Sequence, residues 1–151
     1  MTELMSQEEM HRNAAELIRL RAQIPVQAWP RFGKDVTLVD ENGPAGSLLF
    51  SCHIDAAMCN PMGSVHGGVT ASLVDTCMGV TCTVQRKRVS TPTITMTVNY
   101  VRPVPLDADV QVRTHTIRIG STAGQMSAEV FLADKPEEIL VTATGIYAIR
   151  H

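Results

Sequence analysis

Two hydrophobic periods divide the chain. From Ser6 to Arg21, Met10, Ala14, Leu17 and Arg21 fall on one face at helical spacing, which predicts an amphipathic helix. Ser6 followed three positions later by Glu9 forms a capping-box pattern, and acids open the segment while Arg19 and Arg21 close it, as the helix dipole prefers. Pro25 and Pro30 then break the pattern. Trp29 and Phe32 are expected to plug a sheet edge from that irregular stretch. Residues 1–33 read as a helix and brace with no chemistry of their own, and residues 34–151 as the main domain.

Beyond it the period becomes two. Val36 and Leu38 suggest a short strand, and Glu41-Asn42-Gly43-Pro44 a turn. Leu48, Phe50, Cys52 and Ile54 alternate with Ser47, Leu49, Ser51 and His53. Ile94, Met96, Val98 and Tyr100 alternate with Thr93, Thr95, Thr97 and Asn99. Val110 and Val112 open another run whose apolar phase slips at Ile117 and Ile119, predicting a bulge. Gly124 to Leu132 alternates again, and Ile139 to Ile149, apolar on both faces, is expected to be central. Val69 to Val84 is apolar nearly all round and predicts a buried helix. Hairpin-length connections argue an antiparallel sheet, so the expected fold class is α+β: one long central helix wrapped by a curved sheet, with an extra N-terminal helix.

Composition narrows the function. Of 151 residues, 44% are apolar and 19% charged, with a net charge of −2, so no basic excess exists for a nucleic-acid backbone. Six aromatics are too few for a base-stacking surface. No signal-like apolar run opens the chain and no stretch suits a membrane span, so a cytoplasmic protein is expected. Four cysteines without a CxxC pair are expected to be reduced, buried small side chains.

The candidate chemistry lies in and before the buried helix. Asp75 is the only charged residue between Asp55 and Arg86, and a carboxylate in apolar surroundings needs a use or a partner. A purely structural pairing with an arginine or hydroxyls stays open. Gly67-Gly68 at the helix start lets a ligand approach free N–H groups, which suits an oxyanion forming on a carbonyl, although any tight turn can use glycines. Eight residues separate Gly67 from Asp75, about 12 Å along a helix. A reacting carbonyl must lie within about 3 Å of both. One helix cannot meet that condition, whereas two antiparallel copies can, so the chemistry predicts a two-fold homodimer with shared sites.

Asn60-x5-His66-Gly67-Gly68-x6-Asp75, followed by the run from Pro92 to Pro103, resembles the hotdog-fold acyl-CoA thioesterases. It is most similar to the PaaI-like, phenylacetate-pathway branch of the 4-hydroxybenzoyl-CoA thioesterase superfamily. The resemblance covers about residues 35–150. It implies that the Gly67 N–H polarises the thioester carbonyl, that Asn60 orients carbonyl or water, and that His66 holds the loop, alone or while also hydrogen-bonding the carbonyl. Asp75 of the partner copy is implied as general base or nucleophile, and Thr93 as the hydroxyl that positions water. Relatives often carry an acid where this chain has Thr95.

A thiolate leaves readily, so one carboxylate and an oxyanion hole suffice without a general acid. The expected function is hydrolysis of aryl or medium-chain acyl-CoA by a homodimer, stacked as a dimer of dimers, with no cofactor and no metal. Gly68 is expected to bind substrate, and Arg86 and Arg88 to clamp coenzyme A phosphates, the alternative being a solvated helix end. Met58, Met62 and Met78 line an acyl pocket or fill the core. A Cys59–His66 pair lacks a group to orient the histidine. A zinc site fails because Cys52 and His53 point to opposite faces. A non-catalytic acyl-CoA sensor and a hotdog hydratase or dehydratase are the other classes; the latter needs an acid–base pair not seen here.

Overall fold

The structure, a computed structural model, describes residues 3–25, 28–39, 43–87 and 90–150. Helix α1 spans Gln7–Arg21 and α2 spans Gly67–Arg86. The strands are β1 Val36–Leu38, β2 Ser47–Ile54, β3 Thr93–Tyr100, β4 Ala108–Ile119, β5 Ala123–Leu132 and β6 Lys135–Ala148. They form one antiparallel six-stranded sheet in the order β1-β2-β4-β5-β6-β3, which wraps the long helix as the hotdog resemblance implies. Among the described residues no helix is long and apolar enough to cross a membrane.

Alternation in the strands builds the core. Phe50, Cys52 and Ile54 of β2, Val110 and Val112 of β4, Met126, Ala128 and Val130 of β5, and Val141 and Ala143 of β6 turn inward onto α2. The helix answers with Leu73, Val74, Cys77, Met78, Val80 and Cys82. The buried Thr81 hydroxyl is not orphaned: its Oγ1 reaches Cys77 O at 2.9 Å and Thr114 Oγ1 at 2.7 Å. The slip expected near Ile117 is a register shift between Thr116 and Arg118, and it leaves Ile117 exposed.

Four expectations need correction. Helix α2 is not closed all round: Gly68, Ser72, Asp75, Thr76 and Gly79 form an open or half-open stripe, because this chain's sheet covers only the other faces. Strand β6 does lie between β5 and β3, but it alternates, with Thr144 and Ile146 on the exposed face. On α1 the buried stripe is Met10, Ala14 and Ile18 rather than one through Leu17. Ser6 caps α1 by accepting from Glu9 N at 3.3 Å. The Glu9 side chain, however, does not complete a capping box; it pairs with Lys87 Nζ at 2.8 Å and ties α1 to the end of α2. The turn read at residues 41–44 lies partly outside the described residues.

Candidate active site

The loop before α2 is held by its own side chains. Asn60 Oδ1 accepts from Met62 N at 2.9 Å and Ser64 N at 3.3 Å, and its amide donates to Ser64 Oγ at 3.0 Å. Gly63 occupies the left-handed region, φ 79°, where a side chain would be strained. His66 is the N-cap: its Nδ1 accepts from Gly68 N at 3.0 Å, so the ring holds the glycine turn through an unprotonated nitrogen. Gly67 opens the helix, and its N–H has no intrahelical acceptor. Tyr100 closes the other side by donating to Gly67 O at 2.7 Å. A Cβ at Gly67 would stand 3.2 Å from the Tyr100 ring, so a side chain there would intrude on a fitted contact.

Asp75, two turns on, is served from the sheet. Thr93 Oγ1 donates to Asp75 Oδ1 at 2.7 Å, and Tyr147 OH donates to the same oxygen at 3.0 Å. Among the described residues Oδ2 receives no hydrogen bond. Thr93 reaches the helix because the β3–β6 register shifts between Thr93 and Thr95. Strict alternation puts Ile94 on the face of Met96 and Val98. The bulge instead turns Ile94 outward, 61% exposed, while Met96 and Val98 pack on the core and Thr93 joins their side.

A pocket of about 210 Å³ opens beside the carboxylate, lined by Asp75, Thr76, Gly79 and Thr83 of α2, by Ser90, Thr91, Thr93 and Tyr147, and by Arg21 and Phe32. Two residues of the N-terminal segment, Arg21 and Phe32, thus line the pocket beside Asp75. The Arg21 guanidinium lies 5.4 Å over the Phe32 ring, and desolvation pushes its pKa down. Helical periodicity places Arg21 at the end of α1 but cannot show that α1 folds back on α2. The three methionines do not gather here: Met78 is fully buried, Met58 packs on the core and Met62 is exposed.

The structure thus brings Thr93 to Asp75 and His66 to Gly68, and adds Tyr147 and Tyr100, which the sequence reading missed. Within one chain it keeps Gly67 and Asp75 two helical turns apart. Lys87, the αL cap of α2, is engaged with Glu9, Arg86 is half-buried with its Nε enclosed and unbonded, and Arg88 lies outside the described residues. Thr95 is exposed and pairs with Ile146, away from the carboxylate. Burial raises the Cys52 thiol to about 12, Cys82 to about 11 and Cys77 well above the ordinary value, so these three are not nucleophiles. Cys52 is buried and His53 exposed, as their opposite faces require. No cluster of three metal-ligating side chains occurs among the described residues.

Residues 62–139, which hold both the amide cradle and the carboxylate, match the family described as Thioesterase superfamily. The chain belongs to the thioesterase superfamily. Relatives of this superfamily member include human acyl-coenzyme A thioesterase 13, 25% identical over 113 residues that cover 74% of this chain and 78% of the relative. The mouse protein of the same name is 24% identical over 123 residues, covering 80% and 84%. The E. coli PaaI protein of the phenylacetic acid degradation operon superposes with a TM-score of 0.75 at 16% identity, covering 97% of each chain. These likenesses bear out the PaaI-like hotdog fold, and α1 is the extra N-terminal helix expected beside it.

Proposed function

We propose that this protein is an acyl-CoA thioesterase whose working site is shared between two copies. The observation that carries the reading is the Asp75 carboxylate, fixed through Oδ1 by Thr93 and Tyr147 with Oδ2 left unengaged, on the same helix as a glycine amide cradle. In the shared site the Gly67 N–H of one copy receives the thioester oxygen, and Asp75 Oδ2 of the other takes a proton from the attacking water. The tetrahedral intermediate collapses with loss of the coenzyme A thiolate, giving the free acid. Asn60 and His66 hold the cradle; one N–H of the Asn60 amide remains for carbonyl or water.

A two-fold dimer is supported by the edge at β3. Its outer side has no neighbouring strand among the described residues, and Ile94, Tyr100 and Val101 beside it are all more than half exposed, which is the surface a second copy would cover. Exposed Ile117 and Ile146 on the outer sheet face support a dimer of dimers. Four cysteines without a disulfide suit a reducing compartment, the cytoplasm. Threonines, Ser90 and Arg21 make up most of the pocket's lining and Phe32 adds an aromatic side chain, so an aryl or short acyl group carrying polar atoms fits better than a plain aliphatic chain.

The test is thiol release from a panel of aryl and aliphatic acyl-CoA esters by the purified protein. Catalytic release, fastest with polar-substituted aryl or short acyl groups, is expected. Stoichiometric binding without thiol release would make it an acyl-CoA sensor, and loss of enoyl absorbance without thiol release would make it a hydratase.

A further inference from the structure

We propose that Tyr147 is a positioning residue: its hydroxyl, with that of Thr93, locks Asp75 through Oδ1 so that Oδ2 alone faces the reacting carbonyl. The inference rests on the thioesterase reading for its reaction and on the carboxylate's surroundings for its geometry. Thr93 and Tyr147 are direct partners across β3 and β6, so one rung of the sheet delivers both donors. A free carboxylate swings over a broad range of its terminal torsion, its two oxygens being interchangeable. Two donors converging on one oxygen remove that freedom and leave one oxygen aimed.

The local packing is built around this ring. Tyr147 is 1% exposed and heads the largest fully buried side chains. A Cβ at Gly145 would lie 2.8 Å from its Cε2 and 3.1 Å from its hydroxyl, and one at Gly79 would lie 3.5 Å from Cε1. Gly145 sits inside β6, where glycine weakens a strand, and it is not among the positive-φ glycines, so no turn requires it. What it provides is room for the tyrosine ring beside α2. Packing alone would be content with the Asp75 backbone carbonyl as the phenol's acceptor, which is also in reach at 3.2 Å. The hydroxyl lies nearer the side-chain oxygen. Burial and the neighbouring carboxylate push the phenol's pKa up, so it acts as a donor and not as a base.

Tyr147→Phe keeps the ring and removes the donor. Expected is a roughly 10- to 100-fold loss of kcat with KM unchanged, the cost of a misaimed group. Gly145→Ala keeps the hydroxyl but crowds the ring, and should reproduce that split. In crystal structures the Asp75 carboxylate plane should be fixed in the unaltered protein and spread over a range of terminal torsions in Tyr147→Phe. Unchanged kcat in a folded Tyr147→Phe protein, an effect on KM alone, or a carboxylate plane as fixed as before would overturn the proposal. Absence of turnover in the unaltered protein would remove the thioesterase reading, and the comparison of carboxylate planes would still decide this one.

Discussion

The amide cradle and the carboxylate sit on one helix and are built in opposite ways. At the cradle most side-chain contacts are local: His66 caps a residue two positions on, and Asn60 binds residues two and four positions on, with Tyr100 from β3 the one distant donor described. At Asp75 the partners come from 18 and 72 residues away and depend on the whole sheet. The cradle's shape is set mainly within its own loop, which Tyr100 of β3 and Val104 anchor. The carboxylate's surroundings are part of the core itself, since Tyr147 is both a core side chain and a donor to Asp75.

The largest effect tests the carboxylate end. Asp75→Asn is nearly isosteric and keeps an acceptor for Thr93, but it can neither take a proton nor attack carbon. Turnover should fall at least about 100-fold with the melting midpoint retained, read by thiol release and circular dichroism. His66→Ala tests the cradle end. Loss of the cap should cost about 1 kcal/mol in a denaturant titration and lower kcat far less than Asp75→Asn. If the two variants lost equal activity, the contrast between a local support and a reacting group would fail.

Smaller effects concern the periphery. If Arg86 clamps coenzyme A phosphates, Arg86→Glu should raise KM for acyl-CoA without changing kcat, and high salt should shrink the difference; no change would discard that role. His53 lies between Asp109 at 2.8 Å and Asp107 at 3.2 Å, and the Asp109 hydrogen bond leads the causes that raise its pKa. A raised imidazole contributes stability that is fully present below its unfolded value, about 6.5, and is lost as pH rises through the folded value. Thermal melts across that window should show the decline, and His53→Gln should flatten it. Because the pair is exposed, the slope should be shallow.

This division also explains what the sequence disclosed. The strands, the long helix, the bulge near Ile117 and the glycine cradle follow from periods and spacings over a few residues. Asp75 stood out as a lone charge among apolar neighbours. Tyr147 did not, because a tyrosine inside an apolar run looks like any core aromatic until the β3–β6 register brings it to the helix. The face of Thr93 was hidden for a related reason: only the pairing with β6 reveals the extra residue at Ile94. Arg21 and Phe32 enter the pocket through packing of α1 on α2, which no local pattern encodes.

The most direct test of the shared site is subunit complementation. Asp75→Asn and Gly67→Val proteins, each inactive alone, should regain about a quarter of full activity when dissociated, mixed and reassembled. Half the dimers would then be mixed, and each mixed dimer would join one intact cradle to one intact carboxylate. A mixture that exchanges subunits yet stays as inactive as its parents would contradict the account.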